Sequence, residues 1–182
     1  METSCLGIGA MGMAEKIDLR AYCERIGFSG ELRPSVECLR GLHLAHATHV
    51  PFENIEVLMG RPVRLDLASL WKKLVEDRRG GYCFEQNTLF AAVLEQIGFP
   101  VRRLAARVRM GAAGITARNH MLLAVEAGGR QWLCDVGFGG QALLHPIAWL
   151  PGETAAQFAQ MAFESLQSSR ELFGSVSGCE VR

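Results

Sequence analysis

The stretch HMLLAVEAGGRQWLCDV, residues 120–136, predicts two strands joined by a tight turn. Two apolar segments, HMLLAVE and QWLCDV, flank the four residues AGGR. Paired glycines between apolar strands are a common signal for a β-hairpin. Taking Gly128 and Gly129 as the turn, we expect Glu126 to face Gln131 and Ala124 to face Leu133. A hairpin here makes an antiparallel sheet the expected core of this half of the chain.

The register of this hairpin brings two polar residues together. Leu122 should face Asp135, and His120 lies two residues from Leu122, so His120 and Asp135 share one face as diagonal neighbours. Cys134 falls on the opposite face. A turn of odd length would reverse this assignment, because a one-residue shift flips every side chain.

The pattern changes on moving away from the hairpin. VRRLAARVRM, residues 101–110, alternates with period two and predicts a half-exposed strand, and the Gly-rich loop GAAGITARN follows it. Before residue 99, apolar residues recur at helical spacing in four segments. Asp66 is a candidate N-cap, Pro34-Ser35 opens a helix, and Gly27 and Gly98 are candidate stops. Residues 51–63 predict irregular or short extended structure, and residues 155–172 one further helix.

The fold class expected from these patterns is α+β. We divide the chain into a loose N-terminal extension at 1–12, a helical domain at 13–98, a partial antiparallel β-barrel domain at 99–152 and a divergent tail at 153–182. The helical part forms an N-terminal bundle, and the sheet follows it.

Net charge, apolar content and cysteine spacing limit the kinds of partner and site that we expect. Lys plus Arg and Asp plus Glu each total 19, so the net charge is zero, and nothing favours nucleic acid or an anionic membrane surface as a partner. An apolar fraction of 49% is that of a globular protein. The six cysteines form no CxxC pair and no zinc-binding spacing, so we expect reduced thiols, a cytoplasmic protein and no metal.

A candidate nucleophile lies in RRGGYCFEQN, residues 78–87. Two glycines precede Cys83, which opens a predicted helix. The positive end of a helix favours thiolate over thiol, and thiolate is the reactive form. For an isolated cysteine in such a position, packing under a helix start is the commoner role.

A base and an orienting acid complete a possible triad. His120 begins a predicted strand beside Asp135, whereas His43, His46 and His49 lie on or after one predicted helix. Cys83, His120 and Asp135 then fit the roles of nucleophile, base and orienter. A surface pair of His120 with Asp135 is the alternative interpretation.

The motifs together resemble those of the arylamine N-acetyltransferase family. RGGYCFEQN, the histidine of NHMLL, and DVGFGGQ are similar to its three catalytic signatures, in the same order. VPFENIEVLMGRPV and AARVRMG also resemble family segments. The similarity covers about residues 17–152.

This resemblance implies a papain-like arrangement in which Cys83, His120 and Asp135 are catalytic. Cys83 would take the acetyl group of acetyl coenzyme A and pass it to an arylamine, an arylhydroxylamine or a hydrazine by ping-pong transfer. Phe138 would line the acceptor pocket. The candidate cofactor-binding residues are Gly137, Phe138, Gly139 and Gly140, and Arg25, Glu53 and Arg79 would support the site, most simply as structural ion pairs.

The family fold also implies a third α/β lid domain, and we expect this chain to be a C-terminally truncated member that lacks it. Two alternatives stand beside the transferase. One is a Cys-His-Asp hydrolase of the papain or transglutaminase type, and the other is a truncated remnant with little or no activity.

Overall fold

A computed structural model describes residues 16–108, 117–140 and 143–149. Its helical part comes first along the chain. The helices are α1 (Leu19–Ile26), α2 (Val36–His49), α3 (Ile55–Leu58), α4 (Leu67–Trp71) and α5 (Cys83–Ile97), and α4 continues into a π-helical turn, Lys72–Glu76. Among the residues described, no helix has the length and apolar character needed to cross a membrane.

Local chemistry explains where the helices begin and end. The Ser35 hydroxyl accepts the N–H of Cys38 at the start of α2, and Asp66 Oδ1 accepts the N–H of Ser69 over 2.9 Å at the start of α4. Gly27 and Gly98 end α1 and α5 with φ of 69° and 107°, a left-handed conformation that glycine adopts without strain. These starts and stops confirm the predicted ones.

The segment at residues 51–63 differs in part from its prediction. It contains the four-residue helix α3, and only Phe52 makes an extended pairing, a parallel bridge to Gly81. A single helical turn is too short to produce a recognisable apolar period, so the sequence pattern could not reveal it. The bridge matters for the site, because it fixes the backbone just before α5.

Four antiparallel strands form one sheet in the order β1-β2-β3-β4. They are β1 (Val101–Ala106), β2 (His120–Ala127), β3 (Arg130–Cys134) and β4 (Ile147–Trp149). Strand β1 ends four residues before the predicted limit at residue 110. Strand β4 was not predicted, because three residues are too few to show alternation.

The hairpin register is the predicted one. Glu126 pairs with Gln131 and Ala124 pairs with Leu133. Gly128 and Gly129 have φ of 58° and 70°, as a type I′ turn requires. The even turn length puts the alternate residues of β2 and β3 on the faces expected from the sequence.

Both faces of the sheet are covered to different degrees. Leu123, Val125 and Cys134 are buried in the main core, where α5 packs against β2. Leu122, Ala124 and Leu133 form a separate small cluster. Within residues 99–108, 117–140 and 143–149 the sheet is open, so the structure confirms α+β with an antiparallel sheet but does not describe a closed barrel.

The start of α5, the start of β2 and the end of β3 carry the three predicted catalytic residues. Cys83 is the first residue of α5, His120 is the first residue of β2, and Asp135 directly follows β3. The expected N-terminal extension at 1–12, the tail at 153–182 with its helix at 155–172, and most of the Gly-rich loop lie outside the described residues.

Candidate active site

Cys83 occupies the positive end of the longest described helix. Its backbone N–H belongs to the first turn of α5, where amides have no acceptor within the helix. Cys83 is buried, with 6% of the residue's surface exposed, and Sγ lies 4.0 Å from the Asn119 carbonyl oxygen. The sulfur therefore faces the strand start at His120.

His120 and Asp135 are in direct contact. Nε2 of His120 lies 2.5 Å from Oδ2 of Asp135, and both side chains are buried, each 7% exposed. A carboxylate on Nε2 leaves Nδ1 available to another partner, and Cys83 lies close enough to influence the ring electrostatically. The structure thus brings all three residues of the predicted triad together.

The environment of His120 favours its protonated form. Burial by itself lowers the pKa of the imidazole, but hydrogen bonds with Asp135 and Cys83, together with the charges of these two groups, outweigh burial. The net effect raises the pKa of His120 to about 9. At neutral pH the ring carries a proton on each nitrogen and can stabilise a thiolate at Cys83.

Asp135 is held by several donors besides His120. Its Oδ1 accepts the Asn87 side-chain amide over 3.0 Å and the Gly137 N–H over 3.1 Å. Its own backbone N–H donates to Nε2 of His43 over 3.2 Å. The carboxylate that orients His120 is therefore fixed from helix α5, helix α2 and its own turn.

His43 is a neutral imidazole in this arrangement. Its Nδ1 lies 3.2 Å from the Leu144 carbonyl oxygen, which can only accept, so Nδ1 carries the proton and Nε2 is free to accept from Asp135. Burial lowers the pKa of His43 to about 4, against the opposing effects of Leu144 and Asp135. His43 therefore joins the backbone at Asp135 to the backbone at Leu144 through its two ring nitrogens.

The backbone leading to Cys83 is clamped against residues 51–53. The Glu53 N–H donates to the Gly81 carbonyl over 3.0 Å, and a Cβ at Gly80 would lie 2.2 Å from the Pro51 carbonyl oxygen. Only glycine fits such an approach. Gly80 is therefore required by contact, and its φ is not in the left-handed region.

The three predicted support residues all surround this clamp. Arg79 forms ion pairs with Glu53 and with Glu56, the latter at 2.8 Å. Arg25 differs from the expected ion pair, because its guanidinium donates to backbone carbonyls. These carbonyls belong to His49, Leu74, Arg78 and Arg79. A buried guanidinium with four carbonyl acceptors pins three chain segments at once.

The GFGG turn divides into packed and open positions. A Cβ at Gly137 would lie 2.8 Å from the Cys83 Cα, so the space expected there for a cofactor is filled by the protein itself. Gly140 has open space around it, and Gly139 faces the Phe52 ring. Phe138 stands edge-on to the His120 ring at 5.0 Å between centroids. Phe138, Gly139 and Gly140 are the positions that a ligand could reach.

Cys134 lies next to Asp135 in the chain but takes no part in the site. Cys134 is fully buried on the opposite strand face, and burial raises the pKa of its thiol far above the ordinary value. Within the described part of the chain, no cluster of His, Cys, Asp and Glu could hold a metal ion.

Sequence reasoning missed Asn87 and His43. Asn87 lies four residues after Cys83, so helical periodicity places both on one face of α5, and this spacing was a usable signal. His43 gave no signal, because its partner Asp135 lies 92 residues away.

Comparison with known proteins identifies the family of this chain. The model of the N-acetyltransferase family matches residues 35–174, further along the chain than the motif resemblance at 17–152. The arylamine N-acetyltransferase / N-hydroxyarylamine O-acetyltransferase of Salmonella typhimurium is 45% identical over 149 residues, which is 81% of this chain and 51% of the relative. The chain spans about half the length of the curated relatives it matches.

Solved structures give the same result. The arylamine N-acetyltransferase of Nocardia farcinica superimposes with a TM-score of 0.71 at 51% identity, covering 75% of this chain and 48% of that one. The Mycobacterium marinum enzyme in complex with CoA gives a TM-score of 0.70 at 42% identity, covering 75% and 52%. This chain belongs to the arylamine N-acetyltransferase family.

Proposed function

We propose that the protein transfers the acetyl group of acetyl coenzyme A to arylamines, arylhydroxylamines or hydrazines through a thioester on Cys83. The observation that carries this proposal is the convergence of Cys83, at the start of α5, on a His120 ring whose Nε2 is 2.5 Å from Asp135. Family membership supports the choice of acyl donor, since one relative is solved in complex with CoA.

In the first half-reaction, the Cys83 thiolate attacks the acetyl carbonyl carbon. The developing oxyanion lies near the first-turn amides of α5, of which the Cys83 N–H is one, and such preorganised donors stabilise it. The carbon–sulfur bond to coenzyme A then breaks. The departing thiolate takes a proton from His120, which leaves acetyl-Cys83 and a neutral imidazole.

In the second half-reaction, the amine nitrogen attacks the acetyl-Cys83 carbonyl. Neutral His120 accepts the proton that the nitrogen loses, and the Cys83 thiolate departs. The products are the acetylated amine and the starting pair of thiolate and imidazolium. Asp135 holds His120 in one orientation through both steps and stabilises its charge.

The open side of the site suggests where the two substrates meet. Phe138 offers an aromatic edge beside His120 and suits an aromatic acceptor. The open space at Gly140, beside Gly139, gives room for the arm of the donor. Arg25, Glu53 and Arg79 act as structural supports of the segment before Cys83. The four described cysteines are all free, which is in keeping with a cytoplasmic location.

A product assay tests this function and separates it from hydrolysis. Acetyl coenzyme A is supplied with and without an aromatic amine, and free coenzyme A and acetylated amine are measured together. Equal amounts of the two products indicate transfer, whereas coenzyme A release without acetylated amine indicates a hydrolase. Cys83→Ser should abolish both products, while Cys23→Ser, a half-buried cysteine on α1, should keep them. Full activity in Cys83→Ser would contradict the proposal.

A further inference from the structure

Asn87 links the three segments that carry the proposed triad. It lies in α5 one turn after Cys83 and is fully buried. Its Nδ2 donates to the Met121 carbonyl over 2.8 Å and to Asp135 Oδ1 over 3.0 Å, and its Oδ1 accepts the Val136 N–H over 3.2 Å. The Met121 carbonyl can only accept a hydrogen bond and the Val136 N–H can only donate one, so the positions of the amide nitrogen and oxygen of Asn87 are fixed.

These contacts place Asn87 beside both other triad members. Met121 directly follows His120 in β2, and Val136 directly follows Asp135. The amide therefore ties the backbone behind His120 to the carboxylate that binds its ring. All three side-chain hydrogen bonds of Asn87 point to this junction, and the residue is fully buried.

We propose that Asn87 is a positioning residue that sets the orientation of Asp135, and through it that of His120 toward Cys83. The inference rests on the proposed function, in which Asp135 orients His120. Without Asn87, Oδ1 of Asp135 would keep only the Gly137 N–H, and the carboxylate would be free to turn. Burial removes water as a replacement donor.

Two variants and a matched control test the role. Asn87→Ala deletes the amide. Asn87→Asp keeps the size of the side chain but replaces the amide donor with a carboxyl group. This carboxyl group and that of Asp135 must either share one proton or repel each other as two negative charges. Thr88→Val is the control, because its hydroxyl contacts Met121 Sδ at 3.7 Å on the same strand without touching Asp135.

The readouts are the rate of Cys83 alkylation by iodoacetamide and the titration midpoint of His120 followed by NMR. Both Asn87 variants should slow alkylation at neutral pH by roughly ten- to a hundred-fold, the size expected for misplaced reacting groups. The His120 midpoint should fall in Asn87→Ala. Thr88→Val should match the wild type in both measurements. A purely structural role would lower the melting temperature without moving the His120 midpoint.

The proposal is overturned if a folded Asn87 variant alkylates at the wild-type rate with an unchanged His120 midpoint. Asn87→Asp decides the question if Asn87→Ala does not fold, because its shape is nearly that of the native residue. Alkylation needs no acyl donor. Slow alkylation of the Asn87 variants therefore supports the positioning role whether or not Cys83 becomes acetylated. Failure of acetyl coenzyme A to acetylate Cys83 would overturn only the proposed function.

Discussion

The Nε2 atom of His43 accepts the backbone N–H of Asp135 over 3.2 Å, and this bond joins helix α2 to the end of strand β3. The other ring nitrogen is bonded to the Leu144 carbonyl. A buried imidazole thus satisfies two backbone groups that have no strand partner at this point. The position of Asp135 depends on a residue that has no part in the proposed chemistry.

Replacing His43 should therefore destabilise the fold. His43→Phe keeps an aromatic ring but leaves the Asp135 N–H and the Leu144 carbonyl without partners, and each buried unpaired group costs about 1–3 kcal/mol. With two such groups, urea unfolding should show a loss of about 2–6 kcal/mol. His49→Gln is the matched control on the exposed end of the same helix, where a change within about 0.5 kcal/mol is expected. Equal stabilities of the two variants would contradict the role given to His43.

The buried histidines predict a stability maximum near pH 6.5. Burial lowers the pKa of His43 to about 4 and that of His46 to about 3, so the unfolded chain binds more protons below pH 6.5 and stability falls with acid. His120 acts in the opposite sense. Its raised pKa of about 9 gives stability that is complete below pH 6.5 and is lost as pH rises to 9.

Urea midpoints measured from pH 4 to pH 9.5 would test this. At about 1.4 kcal/mol per pKa unit, the alkaline loss from His120 amounts to roughly 3 kcal/mol. Between pH 4 and pH 6.5, unfolding takes up two protons, one at His43 and one at His46. His46→Gln should halve the steepness of that acid limb, and an unchanged limb would contradict the assignment.

Much of the sheet and of the site followed from periodicity. The pairing of His120 with Asp135 depends only on the parity of a glycine turn, which the sequence displays. The contacts of Asn87 and His43 with Asp135 could not be predicted, because they depend on how α5 and α2 pack on the sheet. Strand β4 and helix α3 were too short to show a period.

The two ends of the GFGG turn should respond differently to substitution. Gly137→Ala places a Cβ about 2.8 Å from the Cys83 Cα, and a backbone atom cannot move aside cheaply. We expect a loss of about 1–3 kcal/mol and slower Cys83 alkylation. Gly140→Ala, which meets open space, should leave both values near the wild type. Similar behaviour of the two variants would show that the turn does not press on Cys83.

Two adjacent lysines provide a further contrast. Lys73 bonds Glu85 over 2.7 Å, and Glu85 is only 3% exposed. Glu85 also accepts the Tyr82 N–H at the start of α5. Lys73→Met leaves a buried carboxylate without its cation and should cost about 3 kcal/mol. Lys72→Met breaks an exposed pair with Asp77 and should cost less than about 1 kcal/mol. Thermal melts of both variants check the difference.

The role of Cys83 as the acetyl acceptor is tested by locating the acetyl group after the protein reacts with acetyl coenzyme A alone. The reaction is quenched in acid, and intact mass and peptide mapping follow. We expect one acetyl group per chain, on Cys83, that disappears when an aromatic amine is added before the quench. His120→Ala should show little of it at the same reaction time. An acetyl group on another residue, or on Cys83 but unaffected by the amine, would contradict the account.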